Sequence, residues 1–230
     1  MATHDSPKFD VPPRFTVLAV VRHTDPKHLL ELIYSLIHQK YSGWECVFID
    51  NSAGASHPGA IVKNFQQRDC RFSLHTINKL QSDLYCLDYA LQFATGDFVT
   101  VIEDTGMFSS GGIYDVVSFL MHRKSAVDVV FTDADMMDDE GVIYATCFKT
   151  GCAPDALVRE AHRQPLVFLS KDYLKNAGGF TGLAEKGLNG KAVNAVFIPN
   201  PLYHRRDLDS KIRKKRLELD AERKKNDSDS

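Results

Sequence analysis

Short apolar runs alternate with amphipathic stretches over the first half of the chain. The runs are rich in β-branched and aromatic residues, as buried strands are, and they occupy residues 15–21, 44–49, 71–76, 98–102 and 127–132. The stretches between them place apolar residues at helical spacing; Leu29, Ile33 and Leu36 form one such stripe. Strands that alternate with helices predict an α/β fold with right-handed connections and a mostly parallel sheet.

Residues with strong positional preferences mark where the predicted elements begin and end. Asp25 followed by Pro26 predicts a helix start, with the acid as N-cap and the proline in the first turn. Gly96 is predicted to end a helix over 82–95, because glycine readily adopts the conformation that follows many helices. The strand at 98–102 comes next and ends in two acids, Glu103 and Asp104. We therefore place this strand at the centre of the predicted sheet.

The alternation changes in the second half of the chain. A turn over 138–141 predicts that a strand at 142–148 folds back antiparallel. Shorter elements are predicted after it: a helix over 154–162, a strand over 166–169, and a helix that is capped by Ser170 and ends at Gly178 and Gly179. A last strand over 193–198 is predicted to end before Pro199, since proline cannot donate to a strand ladder.

Composition limits the classes of function. The chain has 230 residues, of which 43% are hydrophobic and 25% charged, as expected for a globular domain with a sizeable core. The net charge of -2 favours neither nucleic acid nor a membrane surface as partner. Five cysteines without a CxxC pair predict reduced thiols in a cytoplasmic protein, and no apolar run is long enough for a membrane span.

Two polar ends flank the predicted domain. Residues 1–13 are predicted to be a flexible lead-in, and residues 14–206 to form one domain. Residues 207–230 are charged and poor in apolar residues, which predicts a helical tail that frays into disorder. Acids interleave with its basic residues, so a solvated segment is expected, with contact to a partner as the alternative.

Polar clusters follow three of the predicted strands, at residues 50–52, 103–105 and 133–135. The carboxyl ends of parallel strands meet at one edge of a sheet, so these clusters are expected to converge. Gathered carboxylates repel one another unless a cation neutralises them, and oxygen ligands favour Mg²⁺ or Mn²⁺. Solvated turns are the alternative. No Gly-rich phosphate loop or GxSxG motif is present, which argues against dinucleotide enzymes, P-loop NTPases and serine hydrolases.

The order of segments resembles that of family 2 glycosyltransferases, which have the GT-A fold. The similarity extends over residues 14–206 and rests on FTVLAVVRHTDPKHLLELIYSLIHQKYSGWECVFIDNS, NKLQSDLYCLDYALQFATGDFVTVIEDTGMF, VDVVFTDADMMDDEG, FKTGCAPDAL, NAGGF and IPNPLYHRR. These segments are similar, in order, to the family's first two strands, its DxD-bearing strand end and its later landmarks. Each segment alone is a weak match, whereas their shared order is specific.

The resemblance implies a function and a set of residues. It implies an inverting transferase that moves a sugar from a UDP-, GDP- or dTDP-sugar to a glycan or other hydroxyl acceptor, assisted by Mn²⁺ or Mg²⁺. The implied nucleotide-binding residues are Val21, Arg22, Asp50, Ser52, Asp88, Glu103 and Asp104. The implied metal ligands are Glu103, Asp104 and His204, and the implied candidates for the catalytic base are Glu185, Asp133 and Asp135.

The sequence departs from the family pattern at its most important motifs. Thr105 stands where the second acid of the DxD motif is expected, and Asp88 stands in a changed Ala-x-Asn motif. The segment that usually supplies the base is shortened and holds one acid, Glu185. Two alternatives to an active enzyme therefore stay open: an inactive GT-A-like module that binds nucleotides or proteins, and one domain of a larger transferase.

Overall fold

Strands and helices alternate as the apolar pattern predicts, and a computed structural model describes residues 11–53, 57–123, 125–149, 151–163, 166–188 and 193–207. The strands are β1 (Phe15–Val21), β2 (Trp44–Asp50), β3 (Phe72–Thr76), β4 (Phe98–Ile102), β5 (Met107–Phe108), β6 (Val129–Met137), β7 (Ile143–Cys147), β8 (Val167–Ser170) and β9 (Ala195–Arg206). The helices are α1 (Pro26–Ile37), α2 (His57–Gln66), α3 (Asp83–Leu91), α4 (Gly112–Met121), α5 (Pro154–Arg159), α6 (Lys171–Asn176) and α7 (Gly179–Lys186).

All nine of these strands join one sheet, in the order β3-β2-β1-β4-β8-β6-β9-β5, with β7 paired to β6. The first four strands in this order are mutually parallel, as predicted. Strand β8 is antiparallel to both β4 and β6, whereas β9 runs parallel to β6. The sheet is therefore mixed in its second half, where the sequence pattern also changes.

Side chains that alternate along β1 build a core on each face of the sheet. Phe15, Val17 and Ala19 pack with apolar residues of α1, α2 and α4 on one face. Leu18 belongs to a second cluster, on the other face, formed with α3, α5, α6 and α7. Because successive residues of a strand point to opposite faces, a continuous apolar run such as β1 serves both clusters. The result is an α/β architecture of three layers, with helices on both faces of the sheet.

Helix α1 begins where the sequence predicts. Asp25 is the N-cap, its side chain accepts a hydrogen bond of 2.8 Å from the amide of Lys27, and Pro26 occupies the first turn. This cap fixes the direction in which the chain leaves β1. The turn between β1 and α1 therefore has a defined position above the strand end.

Strand β9 is twice as long as predicted and passes through two prolines. It ends at Arg206, whereas the prediction ended before Pro199. Its pairing with β6 is irregular between Thr132 and Asp133, where Ile198 and Pro201 are successive partners. A proline is tolerated where the ladder is interrupted, because no hydrogen bond from its nitrogen is required there. The extension brings 203–206 to the strand ends that carry the predicted site.

Helix α3 is shorter than predicted, and Gly96 does not end it. The helix ends at Leu91, and the amide of Gly96 donates a hydrogen bond of 2.9 Å to the hydroxyl of Thr16 in β1. A Cβ atom at Gly96 would lie 2.7 Å from backbone atoms of Phe15 and of Thr16. The glycine is therefore required by close approach to β1 and not by a helix terminus.

Helix α7 is absent from the prediction, which took Gly178 and Gly179 only as the end of α6. Gly178 instead precedes α7, with a φ of 88°, and has no side chain to cap the helix. The cap comes from α3, through the carboxylate of Asp88. A cap supplied from a distant part of the chain leaves no local sequence signal, which explains the error.

No helix in the described part of the chain has the length and apolar character needed to cross a membrane. Residues 1–10 of the predicted lead-in lie outside the described residues. Residues 208–230 of the predicted tail lie outside them as well, and so does the proposed partner contact of that tail.

Candidate functional site

The candidate site is built around the carboxyl end of β1. In the parallel pairing, Val21 at the end of β1 lies beside Asp50 of β2. On the other side of β1, Ala19 pairs with Ile102, the last residue of β4, and Glu103 follows directly. The first two polar clusters of the sequence therefore flank one strand end, the position where open α/β sheets bind ligands.

The 50–52 cluster fastens a neighbouring loop to this strand end. Asp50 is 5% exposed, and its carboxylate accepts a hydrogen bond of 3.1 Å from the amide of Ser52. Asn51 is fully buried and exchanges two side-chain hydrogen bonds with the backbone of Gln81, of 2.9 and 3.0 Å. Arg22, after β1, donates to the same Gln81 carbonyl at 3.0 Å. Asn51 is a site component that the sequence analysis did not single out.

Two polar atoms of this crevice are buried without a hydrogen-bond partner among the described residues: Nε of Arg22 and Oγ of Ser52. The Arg22 guanidinium is nevertheless held in place, since its Nη2 lies 2.7 Å from a carboxylate oxygen of Asp83. Buried polar atoms are normally satisfied, so each of these two atoms suits contact with a polar ligand. Arg22 and Ser52 are both among the nucleotide-binding residues that the resemblance implies, and that role stays a prediction.

The 103–105 cluster is engaged by other residues of the chain. Both oxygens of Glu103 meet Arg205: Oε1 lies 2.8 Å from Nη2, and Oε2 accepts from Nε at 3.1 Å. Asp104 accepts a short hydrogen bond from the hydroxyl of Thr24. The carbonyl of Thr105 accepts from Nε of Arg206 at 3.0 Å. Thr24 and Arg205 are thus further members of the site, although neither was predicted.

Burial shifts the titration of both acids in the same direction. Burial raises the pKa of the Glu103 carboxyl, although the Arg205 guanidinium opposes this shift. Burial likewise raises the pKa of the Asp104 carboxyl, and the hydrogen bond from Thr24 opposes it. Raised pKa values of two neighbouring acids are typical of a site that receives a cationic group or a ligand.

The third cluster lies on β6, and its two acids have separate partners. Asp133 is 2% exposed and accepts a hydrogen bond of 2.8 Å from the amide of Lys149. Burial lowers the pKa of the Lys149 ammonium to about 8, although the charge of Asp133 opposes this shift. Asp135 accepts from the hydroxyl of Thr146 at 2.7 Å. Its other oxygen lies 3.3 Å from Nδ1 of His204, an electrostatic contact without hydrogen-bond geometry.

Two predicted site residues belong to helix packing instead of the strand ends. The carboxylate of Asp88 accepts hydrogen bonds from the amides of Phe180 and Thr181 at the start of α7. Glu185 lies near the end of α7 with an exposed side chain, and its carbonyl accepts from Arg159. The nucleotide-binding role of Asp88 and the base role of Glu185 stay predictions.

The residues present do not fit a resident divalent metal. Mg²⁺ and Mn²⁺ require several oxygen ligands with free lone pairs. Both oxygens of Glu103 face a guanidinium, Asp104 is bonded to Thr24, and His204 faces Asp135. Within the described residues, no group of three or more histidine, cysteine, aspartate or glutamate side chains is arranged to hold a metal ion. The predicted set of Glu103, Asp104 and His204 is therefore not assembled.

Comparison with known proteins supports the resemblance seen in the sequence. The model of the family described as "Glycosyl transferase family 2" matches residues 17–151. The O-antigen biosynthesis protein RfbC of Myxococcus xanthus is 24% identical over 204 residues, which are 85% of this chain and 16% of that protein. Protein CgeD of Bacillus subtilis is 23% identical over 114 residues, 47% of this chain and 27% of that protein. The chain thus spans 27% or less of the length of these relatives.

Solved structures share the fold at low sequence identity. S. aureus TarS 1-349, crystallised in complex with UDP-GlcNAc, superposes with a TM-score of 0.66 at 16% identity, over 86% of this chain and 59% of that one. The mannosyltransferase PcManGT from Pyrobaculum calidifontis, in complex with GDP-Man and Mn²⁺, gives a TM-score of 0.60 at 15% identity. The superposition covers 88% of this chain and 59% of that one. Both structures have the GT-A fold, which confirms the predicted fold class.

Proposed function

Since the chain belongs to glycosyl transferase family 2, we propose that it transfers a sugar from a nucleoside diphosphate donor to an acceptor hydroxyl. The observation that carries the proposal is the convergence of Arg22, Asp50 and the 103–105 cluster around the end of β1. This arrangement combines hydrogen-bonding groups for a base and ribose with charged groups for a diphosphate. The neighbours solved with UDP-GlcNAc and with GDP-Man support a donor of this class.

The nucleotide would enter between the β1–α1 turn and the 50–52 cluster. There, Nε of Arg22 and Oγ of Ser52, which have no hydrogen-bond partner among the described residues, would contact the ligand. Asp50 would accept hydrogen bonds from the nucleobase, and the backbone around Val21, its partner on β1, would lie on the other side of the nucleobase.

The reaction would proceed by direct displacement with inversion. The acceptor oxygen forms a bond to the anomeric carbon, and the bond from that carbon to the diphosphate oxygen breaks. The nucleoside diphosphate leaves with the electron pair, and the proton of the acceptor hydroxyl passes to a carboxylate. The candidates for this base are Asp133, Asp135 and Glu185, and the acceptor would be a glycan or another hydroxyl compound. No step is assigned to Mn²⁺ or Mg²⁺, because Glu103 and Asp104 are engaged within the protein.

One observation favours a second candidate, a GT-A-like module that binds a nucleotide or a protein without turnover. Thr105 supplies no carboxylate, and Glu103 is held by Arg205. The chain also covers 59% of the TarS fragment and 16% of RfbC, so an acceptor site contributed by further sequence is the third alternative.

Calorimetric titration with UDP, GDP and dTDP tests the proposal, followed by an assay for release of nucleotide from UDP-GlcNAc and GDP-Man. We expect one nucleotide to bind and Asp50→Asn to weaken it at least tenfold. Asp172→Asn, an exposed position on α6, is the matched control. Binding together with nucleotide release supports the enzyme, and binding alone supports the module. Failure of all three nucleotides to bind would contradict the proposal.

For the base, Asp133→Asn, Asp135→Asn and Glu185→Gln are compared in the same assay. The variant that loses turnover while it keeps the nucleotide affinity of the wild type identifies the base. If none of the three does so, none of these carboxylates is the base.

A further inference from the structure

A two-point charge contact in the candidate site joins Glu103, after β4, to Arg205, on β9. Nη2 of Arg205 lies 2.8 Å from one carboxylate oxygen, and Nε donates to the other at 3.1 Å. This is the parallel, two-point geometry in which a guanidinium binds a carboxylate most strongly. A metal ion that used Glu103 as a ligand would have to displace the guanidinium first.

Neighbouring residues of β9 hold Arg205 in this position. The hydroxyl of Tyr203 donates to the Glu103 carbonyl at 3.1 Å, and Arg206 donates to the Thr105 carbonyl at 3.0 Å. Strand β9 is thus attached to the 103–105 segment on both sides of Arg205. Its guanidinium is fixed before any ligand arrives, as required of a group that acts by preorganised electrostatics.

The guanidinium retains capacity for a second partner. An arginine has five N–H donors, and the contacts to Glu103 use Nε and Nη2. The Arg205 side chain is 41% exposed, whereas that of Glu103 is 32% exposed. Arg205 therefore keeps N–H donors and exposed surface for an anion, and arginine is always charged at physiological pH.

The 103–105 segment carries less negative charge than the family pattern has there. Thr105 removes one carboxylate from the place where the family pattern has it, and Arg205 adds a cation beside the acid that is left. The unpaired Nε of Arg22 and Oγ of Ser52 mark the same strand ends as a place for a polar ligand. With fewer acids and a fixed guanidinium, these strand ends can bind an anion directly, without a bridging metal ion.

We propose that Arg205 is the cation that binds the donor diphosphate in this protein, with Glu103 as the positioning residue that orients it. This proposal rests on the proposed nucleotide-sugar donor and specifies how its diphosphate is recognised. In the transfer, the same guanidinium would stabilise the negative charge that builds on the departing diphosphate.

The test is the dissociation constant of UDP and of GDP, measured by calorimetry in excess EDTA and again with Mn²⁺. We expect EDTA to change the affinity of the bound nucleotide less than twofold. Arg205→Gln should weaken binding at least tenfold, roughly the effect of losing charged hydrogen bonds. Arg205→Lys should recover part of the loss, because lysine keeps the positive charge but lacks the planar guanidinium that makes two-point contacts. Arg123→Gln, at an exposed arginine after α4, is the control and should bind as the wild type does.

Glu103→Gln separates the two hypotheses most clearly. If Arg205 binds the diphosphate with Glu103 orienting it, this variant weakens nucleotide binding by the same factor in EDTA and in Mn²⁺, since it loosens the guanidinium but removes no metal ligand. If a metal held by Glu103 binds the diphosphate, the wild type binds nucleotide only with Mn²⁺, and the variant loses the affinity that Mn²⁺ provides. The second pattern, with Arg205→Gln equal to the wild type, would overturn the proposal and leave the proposed function intact. No binding of UDP or GDP under either condition, together with no binding of dTDP in the titration above, would overturn both.

Discussion

Asp88 on α3 caps helix α7 through Thr181, 93 residues further along the chain. One carboxylate oxygen accepts from the Thr181 hydroxyl at 2.6 Å and from its amide at 3.2 Å, and the other accepts from the Phe180 amide at 2.6 Å. Gly178, at the N-cap position, has no side chain that could do this. The start of α7 is therefore held by a tertiary contact that joins two helices on the same face of the sheet.

Replacing Asp88 by alanine should destabilise the fold by about 1–2 kcal/mol, the usual effect of losing an N-cap. Urea denaturation followed by circular dichroism measures this change. The nucleotide affinity of the folded variant should equal that of the wild type. A loss of tenfold or more in affinity would instead support the nucleotide-binding role that the family resemblance implies for Asp88.

Replacing Arg206 by methionine should destabilise the fold more strongly, by about 3 kcal/mol or more. The Arg206 side chain is fully buried and pairs with Glu31 of α1. It also donates to the carbonyls of Thr105, Asp138 and Asp139, at 3.0, 2.9 and 2.7 Å. The variant removes the ion pair with Glu31 and the guanidinium donors to these three half-buried carbonyls, and urea unfolding would report the loss.

The control for Arg206 is Arg123→Met, because Arg123 is exposed after α4. Its effect should stay within about 0.5 kcal/mol of zero, as for most surface substitutions. If both arginine variants unfold at the same urea concentration, the buried contacts of Arg206 do not stabilise the fold as described.

The sequence predicts correctly those elements whose bounds are set by residues close by in the chain. Strand β1 and the Asp25 cap of α1 follow directly from an apolar run and a turn motif, and both are confirmed. Strand β9 and helix α7 were predicted wrongly because their causes are not local. The first continues past Pro199 because its pairing with β6 is interrupted there, and the second begins with a cap from Asp88.

The candidate site shows the same division. Glu103 and Asp50 were found because strand ends can be located from apolar runs. Arg205 and Thr24 were missed, since they reach the acids only through the path of β9 and the turn after β1. The sequence therefore predicts which acids gather at the strand ends, and the structure is required to find the groups that neutralise them.

Lys149 should make stability depend on pH between pH 8 and 10. Burial lowers the pKa of its ammonium from 10.5 to about 8 in the folded protein. Between these values the unfolded chain binds the proton and the folded protein does not, so stability rises with pH. Relative to Lys149→Met, the wild type should gain about 2 kcal/mol in free energy of unfolding from pH 7.5 to 9.5. A difference in free energy of unfolding between the two proteins that stays constant across this pH range would contradict the lowered pKa.

Gly96→Ala should destabilise the fold by about 2 kcal/mol for a reason different from that at other glycines. A Cβ atom here would lie 2.7 Å from backbone atoms of Phe15 and Thr16, which cannot move without disturbing β1.

Gly141 is the comparison, because its φ is 85° and nothing lies within 4 Å of an added Cβ. Gly141→Asn should be nearly neutral, since asparagine tolerates the left-handed conformation. Gly96→Asn should be at least as harmful as Gly96→Ala, because the obstacle is space and not conformation. Thermal unfolding of the three variants separates the two causes, and a neutral Gly96→Ala would show that β1 can yield to the added atom.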